Sequence, residues 1–366
     1  MSIPLVDLGS QQAEIAEEIE DPLRQAFASG HFIGGPAVAE FEQAYAALVD
    51  AKHCIGVANG TDALELALRA VGVQSGDEVI LPANTFIATA EAVSRIGAIP
   101  VLVDVDERHL LIDPDAVAAA LTERTSAIVP VHLYGQVAPV EQLVRLIAGT
   151  PVKIVEDAAQ AQGARRFGRS AGTLGAAAGT SFYPGKNLGA AGDAGAVTTN
   201  DDAVADSVRV LSAHGSRRKY EHEVMGFNSR LDTIQAIVLL AKLRRLHGWN
   251  QLRSQAAQRY DTLLAGSTVV TPHSAPGNED VWHLYVVRVA ERDRVMAHLT
   301  EAGIAAGIHY PTPLHLTEAF TAKGWARGDF PVSERAAGEI LSLPIYPHIT
   351  LHQQEFVVEI LREAIS

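Results

Sequence analysis

A single cysteine, Cys54, leaves no disulfide to be closed within the 366-residue chain. Stability must then come from an apolar core, as suits a reducing compartment. Positive charge is scarce: 29 Lys and Arg face 43 Asp and Glu, for a formal net charge of −14. A surface of that sign repels a phosphate backbone, which argues against sequence-independent nucleic-acid binding. No run reaches the ~18 uninterrupted apolar residues that a membrane-spanning helix needs. The opening stretch, MSIPLVDLGSQQAEIAEEIED, turns acidic early and has neither the basic nor the long apolar region of a secretory signal. A cytoplasmic protein without membrane or nucleic-acid partners is therefore expected. The 48% hydrophobic and 20% charged residues are those of an ordinary globular chain, long enough to bury a core unaided.

Between about residues 50 and 160, short apolar runs alternate with helical patterns. HCIGVA (His53–Ala58), EVILP, PVLVDV, SAIVPVHLYG and VKIVEDAAQ read as strands. TDALELALRAVG reads as a helix, with Thr61 or Asp62 as N-cap and Gly72 as its stop. TFIATAEAVSRIG, DPDAVAAALTE and the stretch around Val140–Ala148 supply further helices. This alternation implies an α/β fold whose mainly parallel sheet is covered by helices on both faces. Beyond about Asn250 the rhythm changes to one strand, WHLYVVRV (Trp282–Val289), among helical segments. A large domain over 1–246 and a smaller α+β domain over 247–366 are expected, bridged by a helical pattern at Leu231–Leu246.

The chemistry centres on SFYPGKNLGAAGDAGAV (Ser181–Val197), where Lys186 sits among aromatic, Gly and Ala residues. Two phosphate motifs come close and fail. In the Walker A pattern, Gly179 is one residue too far from Gly185, and Asn187 replaces the hydroxyl. Gly189, Gly192 and Gly195 are spaced three apart, which is not the dinucleotide pattern. A lysine in an apolar, Gly-lined setting has another use. Burial disfavours the ammonium, and the free amine can form a Schiff base with a carbonyl. Pyridoxal 5'-phosphate (PLP) uses such a lysine, and also needs a carboxylate at its ring nitrogen and a cup for its phosphate. Asp157, at the carboxyl end of VKIVED, is the candidate carboxylate, because ligands bind at strand ends in open α/β sheets. The plainer alternative is that Glu156 and Asp157 cap the next turn. ANGTDAL (Ala58–Leu64) is the candidate cup: a strand end, a Gly turn and a helix start that aims free N–H groups at an anion. Ser181 is a second hydroxyl candidate.

With these sites placed, the chain resembles the fold-type I PLP enzymes, and among them the DegT/StrS-type sugar-nucleotide aminotransferases. IPLVDL, GVANGTDALELAL, GDEVILPANTFIATAEA, PVHLYGQ, VEDAAQAQGA, SFYPGKNLGAAGDAGAV, GFNSRLDTIQA and GIHYPTPLHL carry the resemblance, which runs over essentially the whole chain. It implies that Lys186 and Asp157 are catalytic, Lys186 carrying the Schiff base and Asp157 pairing with the ring nitrogen. It further implies that Gln160 reaches the phenolic oxygen, Phe86 stacks on the ring, and Gly60, Thr61 and Ser181 bind the phosphate. Asn228 would reach that phosphate from the second subunit of a homodimer. HLYGQ, GSRRKYEHEVMGFNSRLD and the HLYVVRV and GIHYPTPLHL segments look most like the subgroup acting at C3 of dTDP-3-keto-6-deoxyhexoses. The implied reaction moves an amino group from L-glutamate to a nucleotide-diphosphate keto-sugar. The same chemistry at C4 of a nucleotide-linked 4-keto-6-deoxyhexose is the alternative. One departure is Ala194, where the family more often has Gly; alanine fits if its φ is negative.

Arg217, Arg218 and Lys219 form a basic triplet that reads either as a solvated loop or as a clamp on a diphosphate. The resemblance favours Lys219 and Tyr220 as substrate contacts across the dimer, and Tyr183, His309 and Tyr310 as further substrate contacts. His132 has the alternative of a satisfied core histidine. The histidines show no ligand spacing, so no metal is expected. A degenerate, regulatory relative of the fold is a further alternative, disfavoured by the intact Lys186, Asp157 and Gln160.

Overall fold

A computed structural model of the chain describes residues 2–365; Met1 and Ser366, the outer ends of the two expected domains, lie outside the described residues. Seven strands form the central sheet among those residues: β1 (His53–Val57), β2 (Glu78–Pro82), β3 (Ile99–Val103), β4 (Thr125–Ile128), β5 (Lys153–Asp157), β6 (Ala177–Ser181) and β7 (Gly195–Thr199). Their order is β1-β7-β6-β5-β4-β2-β3. Pairs from β3 to β6 are parallel, whereas β7 runs antiparallel to both β6 and β1.

The side-chain period of two explains why this sheet is covered on both faces. In β2, Val79 and Leu81 pack into one cluster with Leu64, Leu68 and Val93, while Ile80 packs into another with Ile128, Val117 and Leu143. Helix α1 (Gly60–Ala70) lies in the first layer, with Ala63 to Leu68 all buried, and meets α2 (Ile87–Arg95) and α3 (Asp202–Ser212) there. Its N-cap is Asn59, not Thr61 or Asp62: the Asn59 side chain accepts from the Asp62 N–H, and the helix begins at Gly60. Gly72 follows the helix with φ +99°, as a stop residue should. The strand expected over Ser126–Gly135 ends at Ile128; Val131 still bridges to Asp157, and Leu133–Gly135 forms a helical turn.

Helix α4 (Thr233–Leu264) is twice as long as the pattern ending at Leu246 suggested. The helix runs on through Gly248. Its first half packs Ala236 and Leu239 against Phe41 and Phe182, and its second half packs Ala256 and Tyr260 into a separate C-terminal core. That core holds the antiparallel strands Tyr285–Arg288 and Ile340–Leu343, and also Ile3 from the start of the chain. The expected strand Trp282–Val289 is thus trimmed at both ends. Among the described residues no helix is long and apolar enough to cross a membrane.

Candidate active site

The carboxyl ends of β1, β5 and β6 converge on one cavity. Strand alternation sends the two adjacent carboxylates of β5 to opposite sides. Glu156, fully buried, accepts from His132 Nε2 at 2.8 Å and from the N–H groups of Gly172, Leu174 and Gly175 at 2.7–2.8 Å. It is the turn cap. His132 accepts the Ala138 N–H on Nδ1, so its proton lies on Nε2 and it is a satisfied core histidine.

Asp157 faces the cavity and is 5% exposed. Its Oδ2 accepts from Thr89 Oγ1 at 2.7 Å and its Oδ1 from the Ala159 N–H at 3.1 Å. Burial pushes its pKa up, against the pull of those two donors, Lys186 and His132. A cation placed beside it would restore the ionised form.

Lys186 is held in a closed loop. Its N–H donates to the Tyr183 carbonyl at 2.8 Å, and the Ala190 N–H donates to the Phe182 carbonyl at 2.8 Å. A side chain at Gly189 would strike the Pro184 backbone, which explains the small residues that follow the lysine. Burial lowers the Lys186 pKa to about 8, while Asp157 opposes the shift. At that value about a tenth of the amine is free at pH 7, far more than for an ordinary lysine.

The third wall is the start of α1. Asn59 satisfies the Asp62 N–H, while those of Gly60 and Thr61 lie in the first turn, where a helix has no internal acceptors. A Cβ on Gly60 would sit 2.6 Å from that of Ser181, so only glycine lets the two loops meet. Positive helix end, bare N–H groups and the Ser181 hydroxyl make an anion cup.

The cavity has a volume of about 640 Å³ and is lined by Gly60, Thr61, Phe86, Asp157, Gln160, Ser181, Tyr183, Lys186 and Tyr310, among others. Gln160 Oε1 accepts from the Tyr134 N–H at 2.8 Å, and its Nε2 donates to the Tyr310 hydroxyl at 3.1 Å. The rings of Phe86 and Tyr310 are 5.3 Å apart between centroids. The donor set fits PLP: an amine for its aldehyde, a buried carboxylate for its ring nitrogen, a cup for its phosphate, and an aromatic wall.

Four expected residues are not among those lining the cavity. His309 sits behind Tyr310, with Nδ1 at 2.8 Å from Ser342 Oγ; burial and Lys186 lower its pKa to about 4, so it is neutral. Lys219, Tyr220 and Asn228 lie on an exposed segment, with Tyr220 80% exposed and the nearby Met225 94% exposed. Within the basic triplet, Arg217 pairs with Asp206 and Glu223, and is a surface ion pair rather than a clamp. Ala194 is buried and is not among the positive-φ residues, so alanine is unstrained there. Sequence reasoning missed Thr89, which lies in the quoted TFIATAEA stretch one helical turn after Thr85, its partner at 2.9 Å.

The DegT/DnrJ/EryC1/StrS aminotransferase family matches residues 13–362. The erythromycin biosynthesis sensory transduction protein EryC1 of Saccharopolyspora erythraea is 47% identical, covering 99% of each chain. A dTDP-3-amino-3,4,6-trideoxy-alpha-D-glucose transaminase of Streptomyces venezuelae is 44% identical over 99% of this chain and 96% of its own. Among solved structures, that of S. venezuelae DesV in complex with a ketimine intermediate superposes with a TM-score of 0.96, at 44% identity over 99% of this chain and 98% of that one. The Bacillus subtilis protein ntda with bound cofactor PMP gives a TM-score of 0.92, at 32% identity over 100% of this chain and 85% of that one.

Proposed function

The chain belongs to the DegT/DnrJ/EryC1/StrS aminotransferase family and is a PLP-dependent sugar aminotransferase; we propose that it moves an amino group from L-glutamate to the C3 keto group of a dTDP-linked 3-keto-6-deoxyhexose. The observation that carries the reading is one cavity holding a desolvated lysine amine, a buried carboxylate and an anion cup together. The choice of C3 and of a dTDP sugar is supported by the Streptomyces venezuelae relative.

When bound, PLP supplies a carbonyl that condenses with amines and a ring that accepts the electron pair left at the donor's α-carbon. The N–H groups of Gly60 and Thr61, with the Ser181 hydroxyl, would hold the phosphate. Phe86 would cover the ring, and Gln160 Nε2 would donate to the phenolic oxygen. Asp157 would keep the ring nitrogen protonated, which is the state that withdraws electrons best. With PLP bound, Lys186 Nζ would act as the general base that takes the proton from the α-carbon of glutamate and as the acid that hands it on, and water would then release the keto acid. With the keto-sugar, Lys186 would move a proton in the reverse sense, onto C3 of the sugar. Tyr183 and Tyr310, which line the cavity, contact the substrates, and His309 backs Tyr310 from behind.

Lys219, Tyr220 and Asn228 serve the site of a second copy. In a two-fold dimer whatever one chain lends it also receives. The exposed apolar groups on that segment support such a cover. A cytoplasmic location completes the proposal, in keeping with the one free, buried cysteine.

The test is incubation with glutamate and a panel of nucleotide keto-sugars, with the new C–N bond located by NMR. Nitrogen at C3 of a dTDP sugar is expected; nitrogen at C4 would overturn the regiochemistry. The sensory-transduction name of the S. erythraea relative raises a regulatory reading. PLP binding without any release of keto acid from glutamate would favour it.

A further inference from the structure

Behind the cavity, four amide and imidazole side chains form a buried chain that the reaction scheme does not use. Asn187, adjacent to Lys186 and 1% exposed, donates from Nδ2 to the Val281 carbonyl at 2.8 Å and to Asn250 Oδ1 at 2.9 Å. Those two acceptors fix which way its amide points, so its Oδ1 must accept from His283 Nδ1 at 3.1 Å. His283 is buried and neutral, with its proton on Nδ1. Asn250, on α4, donates from Nδ2 to the Gln162 carbonyl at 2.9 Å. Gln162, 1% exposed, donates from Nε2 to the carbonyls of Ser181 at 2.9 Å and Ala159 at 3.0 Å, and to Thr180 Oγ1 at 3.1 Å.

The ends of this chain are the parts that must stay in register. Ser181 belongs to the anion cup, Ala159 supplies the N–H that holds Asp157, and Asn187 is the residue after the reacting lysine. We propose that Asn187 and Asn250 are positioning residues whose amides, through Gln162, hold the Lys186 loop in register with the anion cup and with the Asp157 turn. The inference rests on the reading of Lys186 as the reacting amine.

Geometry favours this over simple filling of space. The Asn187 side chain is fully hydrogen-bonded, and its partners come from α4 and from the Val281–His283 segment, two parts of the chain distant from its own loop. The outer side of Asn250 faces a second cavity, of about 670 Å³, so loss of its amide leaves room for water rather than a clash. With the tie cut, the Lys186 loop shifts toward solvent, and its amine regains the hydration that burial removes. The titratable groups whose fields reach that amine are Asp157 from β5, together with His283 and His309.

The test compares Asn187→Ala, Asn250→Ala and the double variant with the parent. In the cofactor-free proteins, the rate of Lys186 acetylation is followed against pH by mass spectrometry. In the parent its midpoint should lie well below that of an ordinary lysine, at about 8. Both single variants should move it upward, toward an ordinary lysine. In the holoenzymes, kcat should fall between about 10- and 100-fold with the glutamate KM nearly unchanged, as for a misplaced reacting group. The double variant should lose no more than the worse single, because one chain is cut in either case. Parental midpoints and parental kcat in folded variants would overturn the proposal. Should Asn250→Ala fail to fold, Asn250→Asp keeps the shape and the acceptor for Asn187 but withdraws the donor to Gln162; parental kcat there would overturn it equally. Undiminished turnover by Lys186→Ala would instead overturn the underlying reading of Lys186.

Discussion

Two parts of the molecule carry the residues expected at the site, and they are built in opposite ways. In the wall made of the ends of β1, β5 and β6, the anion cup's N–H groups apart, Asp157 is partnered by Thr89 and Ala159, Gln160 by Tyr134 and Tyr310, and Asn187 on all three of its hydrogen-bonding sides. The segment carrying Lys219, Tyr220, Met225 and Asn228 is exposed, and the Lys219 ammonium rests 5.0 Å over the ring of its own neighbour Tyr220. A buried polar group must be satisfied within the chain or it costs stability. An exposed one is satisfied by water and is free to meet a second molecule. On the proposed reading, the first region is one half of a site and the second is the part lent to another copy.

The difference can be broken most severely at Lys186. Lys186→Ala should still bind PLP, because the cup and Asp157 remain, yet lose turnover by at least about 10³-fold. Borohydride should attach the cofactor covalently to Lys186 in the parent and to no residue of the variant, as read by peptide mass. Asp157→Asn keeps the size and much of the hydrogen bonding but removes the charge. Its kcat should fall by about 10²-fold with little loss of bound cofactor, measured by steady-state kinetics and absorbance. Glu156→Ala tests the same wall from its structural side. It strands His132 and three N–H groups in the interior, and should cost about 3 kcal/mol of stability in denaturant unfolding. On the exposed segment the effects should be smaller and of another kind. Met225→Lys should leave the unfolding of the dilute chain unchanged but weaken self-association about tenfold in sedimentation, since it puts a charge on a face meant for a partner.

How much of this was legible in sequence follows the same division. Lys186, Asp157, Gly60 and Ser181 could be placed because each sits at a strand end or turn that local pattern reveals, and the resemblance assigned their neighbours. Local pattern failed where the deciding contact is distant in the chain. The helical pattern was read as ending at Leu246, yet Trp249, Arg253 and Tyr260 beyond it are buried against segments near residues 14, 282 and 344, which carries α4 on. Asn59 was passed over as N-cap because Thr61 and Asp62 are equally good cap types. Asn187 was read only as a failed magnesium ligand, since its partners lie 63 to 96 residues away. Glu156 and Asp157 could be separated in role only by the face of β5 on which each lies.

The central claim, that the exposed segment completes the buried wall of a second copy, is tested most directly by hybrid dimers. Lys186→Ala and a second variant with both Asn228→Ala and Lys219→Ala are each weak or inactive alone. Unfolded and refolded together, they should form hybrids in which one site carries every lesion and the other carries none. Activity should then recover to roughly a quarter of the parental level, if mixing is statistical and the sites are independent. If hybrid dimers are confirmed by mass and no activity returns, the exposed segment acts within its own chain or not at all, and the shared site is wrong.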